Sequence, residues 1–556
     1  MTRGPRREEV AAWIAADPDP TTRAELRALL ERGDEEALAE RFARPLGFGT
    51  AGLRGPVGAG PARMNRLVVR RAAAGLARFL GEGRGWAGGV VVGHDARRHS
   101  SCFAADVSQV LSAAGVPVLL LPRPLPTPLT AFAVRHLRAA AGVMVTASHN
   151  PPGDNGLKIY LADGALAAPP EEGEIARAIE AASPPPTGRR AAPVEVLDEE
   201  SLVRAYADAV LKVLTPGGAR ALRIVYTPLH GVGGLLLPRL LAAAGFPPAE
   251  TVREQEAPDP DFPTVPLPNP EEPSALALAL EQAASVGADV VLANDPDADR
   301  LALALPAPDG WRALTGDELG ILLAEHLLRA SSGPGRVVAT TVASSRMLGA
   351  LAAQAGVAYE ETPTGFKWIA RAARRHVGAR LLFGYEEALG YAACDAVADK
   401  DGISAALVAA ELAASAKAAG RSLLELLDAL AERLGVHAGT HWSLRREGSD
   451  GAREIAAILA ELRTAPPRAF GPLRVLAAVD LAAGRGSMPP TDAIVFELER
   501  GARVVVRPSG TEPKLKAYLE VRTPPPGHAG LAGARREATT VLEELRAAVA
   551  ERLGSR

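Results

Sequence analysis

Short apolar runs alternate with longer segments of helical periodicity along most of the chain. The apolar runs predict buried strands at residues 89–93, 116–121, 139–145, 221–226, 288–293, 336–341 and 380–383. Helical periodicity marks residues 8–43, 67–80, 316–330 and 402–419. Strands that alternate with helices are typical of a mostly parallel sheet with right-handed crossovers. The pattern therefore predicts an α/β fold.

The last part of the chain has a different pattern. Two apolar strands at 502–506 and 515–521 precede an amphipathic helix at 534–553, which predicts a smaller α+β unit. Residues 168–198 contain three consecutive prolines at 184–186 and predict a surface excursion. We predict four domains, 1–201, 202–314, 315–435 and 436–556, of which the first three are α/β.

Composition narrows the class of partner. The chain has 556 residues, of which 47% are hydrophobic and 23% charged, and its formal net charge is -3. These values disfavour a disordered protein or a strongly basic nucleic-acid binder, so we expect a small-molecule partner and no nucleic acid. The two cysteines have no metal-ligand spacing, which favours a reducing, cytoplasmic location. No apolar run approaches the ~18 residues of a membrane span, so we expect no membrane.

Lysine usage points to particular sites. Only seven of the 62 lysine and arginine residues are lysines. Lysine can exchange a proton near neutral pH when its surroundings tune it, whereas arginine stays charged. The lysines that fall inside candidate motifs are Lys158, Lys367, Lys400 and Lys514. The other three are explained by chance.

The polar hexapeptide at 146–151 directly follows the strand predicted at 139–145. In α/β proteins, loops at the carboxyl ends of strands line the binding cleft, so Ser148 is offered to that cleft. A serine hydroxyl is a weak nucleophile and requires partners from elsewhere in the chain. Lys158 follows ten residues later, close enough for one loop to present both; the alternative is an ordinary surface lysine after a turn.

Three carboxylates follow the strand predicted at 288–293. Asp295, Asp297 and Asp299 occupy alternate positions, which in extended chain project to one side and suit a hard divalent cation. An EF-hand is excluded, because its sixth and twelfth positions here are Arg300 and Pro306. A solvated acidic loop is the alternative. Incomplete protein coordination favours Mg²⁺.

Other segments carry groups that bind anions or hydroxyls. Arg54 lies in a glycine-rich stretch at 47–55, which is either an anion clamp or a tight surface loop. The loop at 507–514 combines two cations, two hydroxyls and a glycine, and so predicts phosphate binding. Lys367 has aromatic neighbours. Glu386 ends a strand, where it would either bind sugar hydroxyls or complement a helix dipole.

Together, the Ser148 loop, the Asp295–Arg300 loop, the loop at 386–390 and the loop at 507–514 resemble the α-D-phosphohexomutase superfamily. The segments at 47–55 and 364–368 are similar to its phosphoglucomutase-2-like branch, which includes phosphopentomutases and glucose-1,6-bisphosphate synthases. The resemblance implies a four-domain architecture around a central cleft. Three related α/β domains with mainly parallel mixed sheets would carry the phosphoserine, metal and sugar loops in that order, and a smaller α+β C-terminal domain would bind phosphate.

The resemblance also implies roles for individual residues. Ser148 would be phosphorylated in the active enzyme and would hold Mg²⁺ together with Asp295, Asp297 and Asp299. Catalysis would involve Arg54 and, as candidate acids or bases, Lys158, Lys367 and His149. The implied substrate-binding residues are Arg300, Thr364, Gly365, Glu386, Ala388 and Lys400, and the implied phosphate-binding residues are Arg507, Ser509, Gly510, Thr511 and Lys514. Ala388 departs from the serine common in the superfamily, which leaves the sugar open.

The implied activity is a phosphosugar mutase that interconverts glucose 1-phosphate and glucose 6-phosphate through phosphoserine and a sugar 1,6-bisphosphate, with Mg²⁺ as cofactor. A phosphopentomutase and a glucose-1,6-bisphosphate synthase are the nearest alternatives. A phosphomonoesterase and a non-catalytic phosphosugar-binding protein compete from other classes. The expected partner is a small phosphosugar, and the expected oligomeric state is a monomer or a homodimer.

Overall fold

The computed structural model describes residues 5–49, 52–182, 191–446, 451–509, 514–526 and 530–554. The chain forms two compact units. The first contains residues 1–313 and 390–411, and the second contains residues 314–389 and 412–556.

Three helices open the first unit: α1 (Arg7–Ala16), α2 (Pro20–Arg32) and α3 (Glu35–Phe42). They confirm the helical periodicity of residues 8–43. The side chains of Asp19 and Asp34 accept hydrogen bonds from the first turns of α2 and α3, and Gly33 ends α2 in the left-handed conformation. Val10 and Leu26 are fully buried between the helices.

The first sheet has seven strands: β1 (Phe48–Gly49), β2 (Gly52–Pro56), β3 (Val90–His94), β4 (Val118–Leu120), β5 (Ala141–Val145), β6 (Asp154–Leu161) and β7 (Val194–Val196). Its helices are α4 (Arg66–Gly81), α5 (Ser100–Ala113), α6 (Thr127–His136) and α7 (Glu171–Glu180). The strand order is β1-β2-β6-β5-β3-β4-β7. Strands β5, β3, β4 and β7 run parallel, and β6 is antiparallel to β5 and β2. Every residue of β5 is buried, as its apolar run predicts.

The segment 168–198 is more ordered than a surface excursion. It contains α7, whose Ile175 is fully buried, and the edge strand β7. Helix α7 lies close against α4 at Gly75, where an added Cβ would come within 2.6 Å of the backbone of Ile179. The prediction was wrong for these elements, because a short amphipathic helix is easily overlooked next to a proline cluster. Prolines 184–186 lie outside the described residues.

The second sheet follows in the same unit. It contains β8 (Ile224–Thr227), β9 (Glu250–Thr251), β10 (Val290–Asn294), β11 (Leu301–Ala307) and β12 (Gly310–Ala313), in the order β12-β11-β10-β8-β9. The accompanying helices are α8 (Glu199–Val210), α9 (Leu237–Ala243), α10 (Arg253–Glu256) and α11 (Pro273–Val286). Strand β10 is parallel to β8 and antiparallel to β11. The aspartate motif is therefore the turn of a β-hairpin.

The second unit begins with three parallel strands, β13 (Arg336–Thr341), β14 (Ala358–Thr362) and β15 (Arg380–Glu386). Helices α12 (Gly316–Ala330), α13 (Met347–Ala355) and α14 (Phe366–Ile369) belong to this part. The chain then returns to the first unit through β16 (Gly390–Ala392) and the beginning of α15 (Gly402–Ala418). Gly390 forms an isolated β-bridge with Arg300 there.

The rest of the second unit is an antiparallel sheet. Its strands are β17 (His437–Arg445), β18 (Ala469–Phe470), β19 (Leu473–Asp480), β20 (Ile494–Leu498), β21 (Ala502–Pro508) and β22 (Lys514–Arg522), in the order β17-β22-β21-β20-β19-β18. The helices are α16 (Leu423–Leu434), α17 (Gly451–Thr464) and α18 (Gly530–Gly554). The predicted fold class, with three α/β sheets and a smaller α+β part, is confirmed.

Within the described ranges, no single helix combines the length and hydropathy of a membrane span. The bent pair of α15 and α16 passes that test only when both helices are counted together, and only by length and composition. Much of α15 is buried in the protein, including Ile403 and Leu407.

A buried ion-pair cluster lies within the second unit, between the end of β13 and the antiparallel sheet. Glu520 accepts hydrogen bonds from the Ser345 hydroxyl at 2.7 Å and from Arg346 Nε at 2.5 Å. Arg503, paired with Glu520 in the β21–β22 register, donates to the Ser344 carbonyl at 2.8 Å. Burial acts to raise the pKa of Glu520, but the hydrogen bond with His437 and the charges of Arg503 and Arg346 outweigh it and hold that pKa well below its usual range.

We predict that Glu520→Gln destabilises the protein by about 3–5 kcal/mol at pH 7, because it leaves buried arginines without their carboxylate. A carboxylate with a lowered folded-state pKa contributes stability above its ordinary pKa of 4.5 and loses it as the pH falls. The difference from wild type should therefore be constant between pH 7 and 5 and shrink below about 4.5. Scanning calorimetry across pH measures both effects.

Glu499→Gln is the matched control, because Glu499 pairs with Arg474 at the protein surface. We expect no measurable change in its unfolding midpoint. A Glu520→Gln protein as stable as this control would contradict the assignment of a stabilising buried cluster.

Candidate functional site

The loop after β5 presents Ser148. Its backbone N–H donates to the Thr146 hydroxyl at 2.8 Å, and its φ of 53° places it in the left-handed region that non-glycine residues rarely adopt. This turn directs the Ser148 hydroxyl towards the aspartate hairpin, where it donates to Asp295 Oδ2 at 2.5 Å. Ser148 is only 2% exposed. The predicted approach of the serine to the aspartates is therefore observed.

The aspartate hairpin holds its three carboxylates close together. Asp295 Oδ1 accepts from the backbone N–H of Arg300 at 3.0 Å, and Ala298 takes a left-handed conformation that tightens the turn. One oxygen from each of Asp295, Asp297 and Asp299 lies within 4.8 Å of the others, and all three residues are buried. The alternate spacing thus brings the carboxylates together, as predicted.

The turn after β8 supports this hairpin from the neighbouring strand. The N–H of Val232 donates to the Pro296 carbonyl at 2.9 Å. Gly231 lies so close that an added Cβ would be 2.4 Å from Pro296 Cα. Only a glycine permits this separation. The backbone at the end of β8 therefore determines the position of the aspartate hairpin that follows β10.

Two lysines reach the aspartates. Lys158 lies on strand β6, which pairs antiparallel with β5, so the prediction that one loop presents it together with Ser148 was wrong. Its side chain is 1% exposed, and its Nζ lies 2.6 Å from both Asp297 Oδ2 and Asp299 Oδ2. The Nζ of Lys400 lies 3.5 Å from the same Asp299 oxygen. Burial acts to lower the pKa of Lys158, but the charges of Asp297 and Asp299 outweigh it and raise that pKa. Lys158 is therefore held as a cation.

The donor set fits a divalent cation. Among the described residues, Asp297 Oδ1 and Asp299 Oδ1 are buried oxygens without a hydrogen-bond partner, which is costly unless an ion satisfies them. Burial raises the pKa of Asp295, and the charges of Asp297 and Asp299 add to that shift. Carboxylate oxygens are also the ligands that hard cations prefer.

His149 and two arginines complete the surroundings of Ser148. His149 Nδ1 lies 3.2 Å from the Ser148 hydroxyl oxygen. Burial, Arg300 and Arg54 lower the pKa of His149 well below its usual range, so its imidazole is neutral at neutral pH. Arg54 sits opposite Gly156 in the β2–β6 pairing, and Arg300 Nε lies 4.0 Å from Asp299 Oδ1.

Sequence reasoning missed two contributors to this site. Arg97, just after β3, donates to the carbonyl of Ser148 at 2.7 Å. Thr127, at the start of α6, donates its hydroxyl to Asp297 Oδ2 at 2.6 Å. A signal for Arg97 was available, because β3 is the parallel neighbour of β5 and the carboxyl ends of parallel strands share one edge. No comparable signal marks Thr127.

The second unit contains the other predicted residues. Gly365, with φ at 111°, begins α14 directly after Thr364. Lys367 is buried, with Nζ 6.0 Å from the ring centroid of Trp368. Glu386 ends β15 and Ala388 lies in the turn that follows.

Glu387, the residue between Glu386 and Ala388, was not predicted as a site residue. The Glu387 side chain accepts from the Ser344 hydroxyl at 3.1 Å and the Thr341 hydroxyl at 3.2 Å. These bonds hold the turn after β15 against the end of β13, on the same edge of the parallel strands.

The predicted phosphate loop joins β21 to β22. Arg507 lies on β21, and the N–H of Ser509 donates to the Lys514 carbonyl at 2.7 Å where the hairpin closes. The predicted residues Gly510 and Thr511 lie outside the described residues. Burial and the charge of Glu387 raise the pKa of Tyr518, whereas the charge of Arg507 opposes the shift. Glu387, in the turn after β15, and Arg507, on β21, are therefore both close enough to Tyr518 to influence the pKa of its hydroxyl.

Family models match almost the whole chain in four consecutive parts. They describe the phosphoglucomutase/phosphomannomutase α/β/α domains I, II and III at residues 45–185, 204–308 and 315–434, and the C-terminal domain at 445–532.

The curated relatives of this chain are named as enzymes with different substrates. A Haemophilus influenzae protein named "Probable phosphomannomutase" is 40% identical over 467 residues, which is 83% of this chain and 93% of the relative. A phosphopentomutase of Mus musculus is 35% identical over 93% of this chain and 90% of its own length. A glucose 1,6-bisphosphate synthase of Homo sapiens is 34% identical over the same shares.

Solved structures agree with these matches. The crystal structure of a phosphomannomutase-type protein from Thermus thermophilus superposes with a TM-score of 0.67. It is 30% identical in sequence, and the match covers 90% of this chain and 99% of that one.

We predict that Gly231→Ala weakens divalent-cation binding by about 10–100-fold, because the added methyl group displaces the backbone of Pro296 and with it the aspartate hairpin. Calorimetric titration with Mg²⁺ measures this loss. Gly173→Ala is the control, since Gly173 is an exposed position in α7 where an added Cβ would meet only the flexible Arg177 side chain, at 4.0 Å, and where alanine favours the helix. Equal Mg²⁺ affinity in both variants would show that the close approach at Gly231 does not position the hairpin.

Proposed function

This chain belongs to the phosphoglucomutase/phosphomannomutase family and is a phosphomutase, and from that premise we propose that its principal reaction interconverts glucose 1-phosphate and glucose 6-phosphate. The contact of the Ser148 hydroxyl with Asp295 at 2.5 Å, inside a buried cluster of three aspartates, carries this proposal. Transfer of a phosphoryl group through phosphoserine requires a serine hydroxyl that lies next to a cation-binding site.

In this proposal Asp295, Asp297 and Asp299 would hold Mg²⁺ beside Ser148. When bound, the ion would supply charge stabilisation for the loosely bonded phosphoryl group. Lys158 binds the Oδ2 atoms of Asp297 and Asp299, and the Oδ1 atoms, which have no hydrogen-bond partner, would be available as ligands. Arg54 and Arg300 add positive charge near the hydroxyl of Ser148.

The reaction is a balanced exchange between two hydroxyls. In the first transfer the bond between phosphorus and Ser148 Oγ breaks and a bond to the free sugar hydroxyl forms, while the hydroxyl proton passes to Ser148 Oγ. The resulting sugar bisphosphate reverses its orientation. In the second transfer its other phosphoryl group moves to Ser148 Oγ, and the serine proton passes to the sugar oxygen that is left behind.

The geometry supports a division of labour between the proton carriers. Neutral His149 has its Nδ1 3.2 Å from Ser148 Oγ and is the candidate to exchange a proton with that oxygen. Lys158 is held charged by two carboxylates, which suits it to stabilise developing negative charge. Lys367 remains the third candidate, next to Thr364 and Gly365 in the sugar-binding segment that we propose.

Substrate recognition is assigned to the second unit and to Lys400. Glu386 would accept hydrogen bonds from sugar hydroxyls, and Ala388 would leave space beside the sugar. Arg507, Ser509 and Lys514 would hold the phosphate that is not reacting, because the turn after β21 combines cations with backbone and hydroxyl donors. Lys400 would contact the substrate from its place beside Asp299.

A pentose phosphate is the second candidate substrate. It is favoured by the similarity to phosphopentomutases over 93% of this chain and by Ala388, which replaces a serine common in the superfamily. A coupled assay over glucose, mannose, glucosamine and pentose 1-phosphates, with and without glucose 1,6-bisphosphate, tests both. A kcat/KM for glucose 1-phosphate below that for a pentose phosphate would overturn the principal substrate.

We predict that Ser148→Ala lowers mutase activity by at least about 1,000-fold, because the covalent acceptor is removed. The variant should keep the wild-type unfolding midpoint. Ser201→Ala, at an exposed serine of α8, is the control and should retain full activity. Substantial isomerisation by Ser148→Ala would contradict a phosphoserine route, and stoichiometric release of inorganic phosphate by the wild type would favour a phosphomonoesterase.

We also predict that Asp297→Asn lowers activity by more than about 100-fold, since a lost ligand weakens several kcal/mol of charge stabilisation. Asp208→Asn, at an exposed position of α8, should have no effect. Chelation followed by dialysis should abolish wild-type activity, and added Mg²⁺ should restore it. Full activity in the chelated, dialysed enzyme would remove the Mg²⁺ assignment.

A further inference from the structure

The side chain of Arg97 lies beneath the Ser148 loop and is surrounded by its backbone. One terminal nitrogen donates to the carbonyls of Pro151 at 2.8 Å and Asp154 at 3.1 Å. The other donates to the carbonyls of Ser148, at 2.7 Å, and Asn150. Four carbonyls from seven consecutive residues therefore converge on a single guanidinium group.

This convergence decides the course of the loop. A guanidinium group is planar and presents its donors in a rigid fork, so carbonyls bonded to both terminal nitrogens have fixed relative positions. The carbonyl of Ser148 belongs to the residue that takes the unfavourable φ of 53°. Hydrogen bonds from Arg97 offset that cost and hold the conformation that directs the hydroxyl towards Asp295.

The guanidinium group is fixed from its other sides. Its side chain is 1% exposed, and its Nε lies 3.6 Å from Asp95 Oδ2. Asp95 is positioned in turn, because its other oxygen accepts from the Ser100 hydroxyl at 2.6 Å. The ring of Phe262 covers Arg97, with the guanidinium carbon 5.0 Å from the ring centroid.

Phe262 connects this arrangement to the aspartate hairpin. It is 2% exposed and belongs to the loop that follows α10, which contacts His230 because the N–H of Asp259 donates to the His230 carbonyl at 3.0 Å. The next residue after His230 is Gly231, which packs on Pro296 of the hairpin. A continuous set of contacts thus runs from the serine loop through Arg97 and Phe262 to the turn that supports the hairpin.

We propose that Arg97, held under Phe262, is a positioning residue for phosphoryl transfer: it fixes the Ser148 loop so that the hydroxyl stays in register with the aspartate hairpin. The role rests on the proposed function, since it concerns the same serine. Arg97 donates to backbone carbonyls of the loop, so it acts through Ser148 and is not assigned any contact with the sugar.

The experiment separates positioning from folding. Dephosphorylated Arg97→Met, Arg97→Lys and Phe262→Leu proteins are mixed with glucose 1,6-bisphosphate, and phosphorylation of Ser148 is followed by rapid quench and intact-protein mass spectrometry. The final stoichiometry reports the fraction of competent protein, and the first-order rate constant reports the geometry of that fraction. Arg98→Met is the control, because Arg98 is the adjacent arginine and its side chain pairs with Asp261 at the surface.

We expect Arg97→Met to lower the rate constant by about 100-fold, as a displaced nucleophile does, with near wild-type stoichiometry. Its kcat should fall in parallel while the KM for glucose 1-phosphate stays within about threefold. Arg97→Lys should recover about tenfold of that loss, because an ammonium group can satisfy some of the carbonyls. Phe262→Leu should lose about tenfold, and Arg98→Met should match wild type.

A wild-type rate constant in Arg97→Met with reduced stoichiometry would overturn the inference and leave a folding role. The same conclusion follows if Arg97→Met and Arg98→Met have equal rate constants. Absence of any labelling of wild-type Ser148 would overturn the proposed function, and the inference with it. Labelling of wild type at a rate that Arg97→Met shares would leave the proposed function intact.

Discussion

The ion pairs of Lys158 with Asp297 and Asp299 hold the candidate site together. All three residues belong to the first unit. Lys158 lies in its first sheet, and Asp297 and Asp299 lie in the hairpin of its second sheet. All three side chains are buried, so separating them would leave charges without compensation in a medium of low dielectric constant. This pairing, with the hydroxyls of Ser148 and Thr127, brings the edges of two sheets to one position.

The same contacts leave the three carboxylates in an arrangement that fits a cation. Three carboxylates placed within 4.8 Å repel one another, and one buried lysine with a second at 3.5 Å neutralises only part of that charge. The lysine engages one oxygen each of Asp297 and Asp299 and leaves the opposite oxygens unsatisfied. The remaining negative charge would attract a metal ion. The ion pairs with Lys158 restrict rotation of the Asp297 and Asp299 carboxylates.

The second unit uses buried charge in a different way. Glu520, Arg503 and Arg346 lie between the parallel strands and the antiparallel sheet, where they satisfy backbone groups such as the Ser344 carbonyl. A buried ion pair is often no more stabilising than an apolar contact of the same size, but it tolerates few geometries. We infer that these charges define how the turn after β15 and the Arg507 strand are arranged within this unit.

Local pattern was sufficient for the fold class, for strands such as β3, β5 and β10, and for the serine loop and the aspartate motif, because period, apolar runs and loop chemistry are properties of neighbouring residues. It missed β6, which follows the serine loop and carries Lys158. The helix α7 was missed, since its short amphipathic pattern stands beside a proline cluster. Thr127 and Arg97 entered the site through contacts between segments 170 and about 50 residues apart. Whether Lys158 faces a partner depends on sheet pairing that no local window contains. The sequence therefore determines which chemical groups each loop carries. The distances between those groups depend on tertiary structure, because they arise only when the ends of separate strands meet in a buried region.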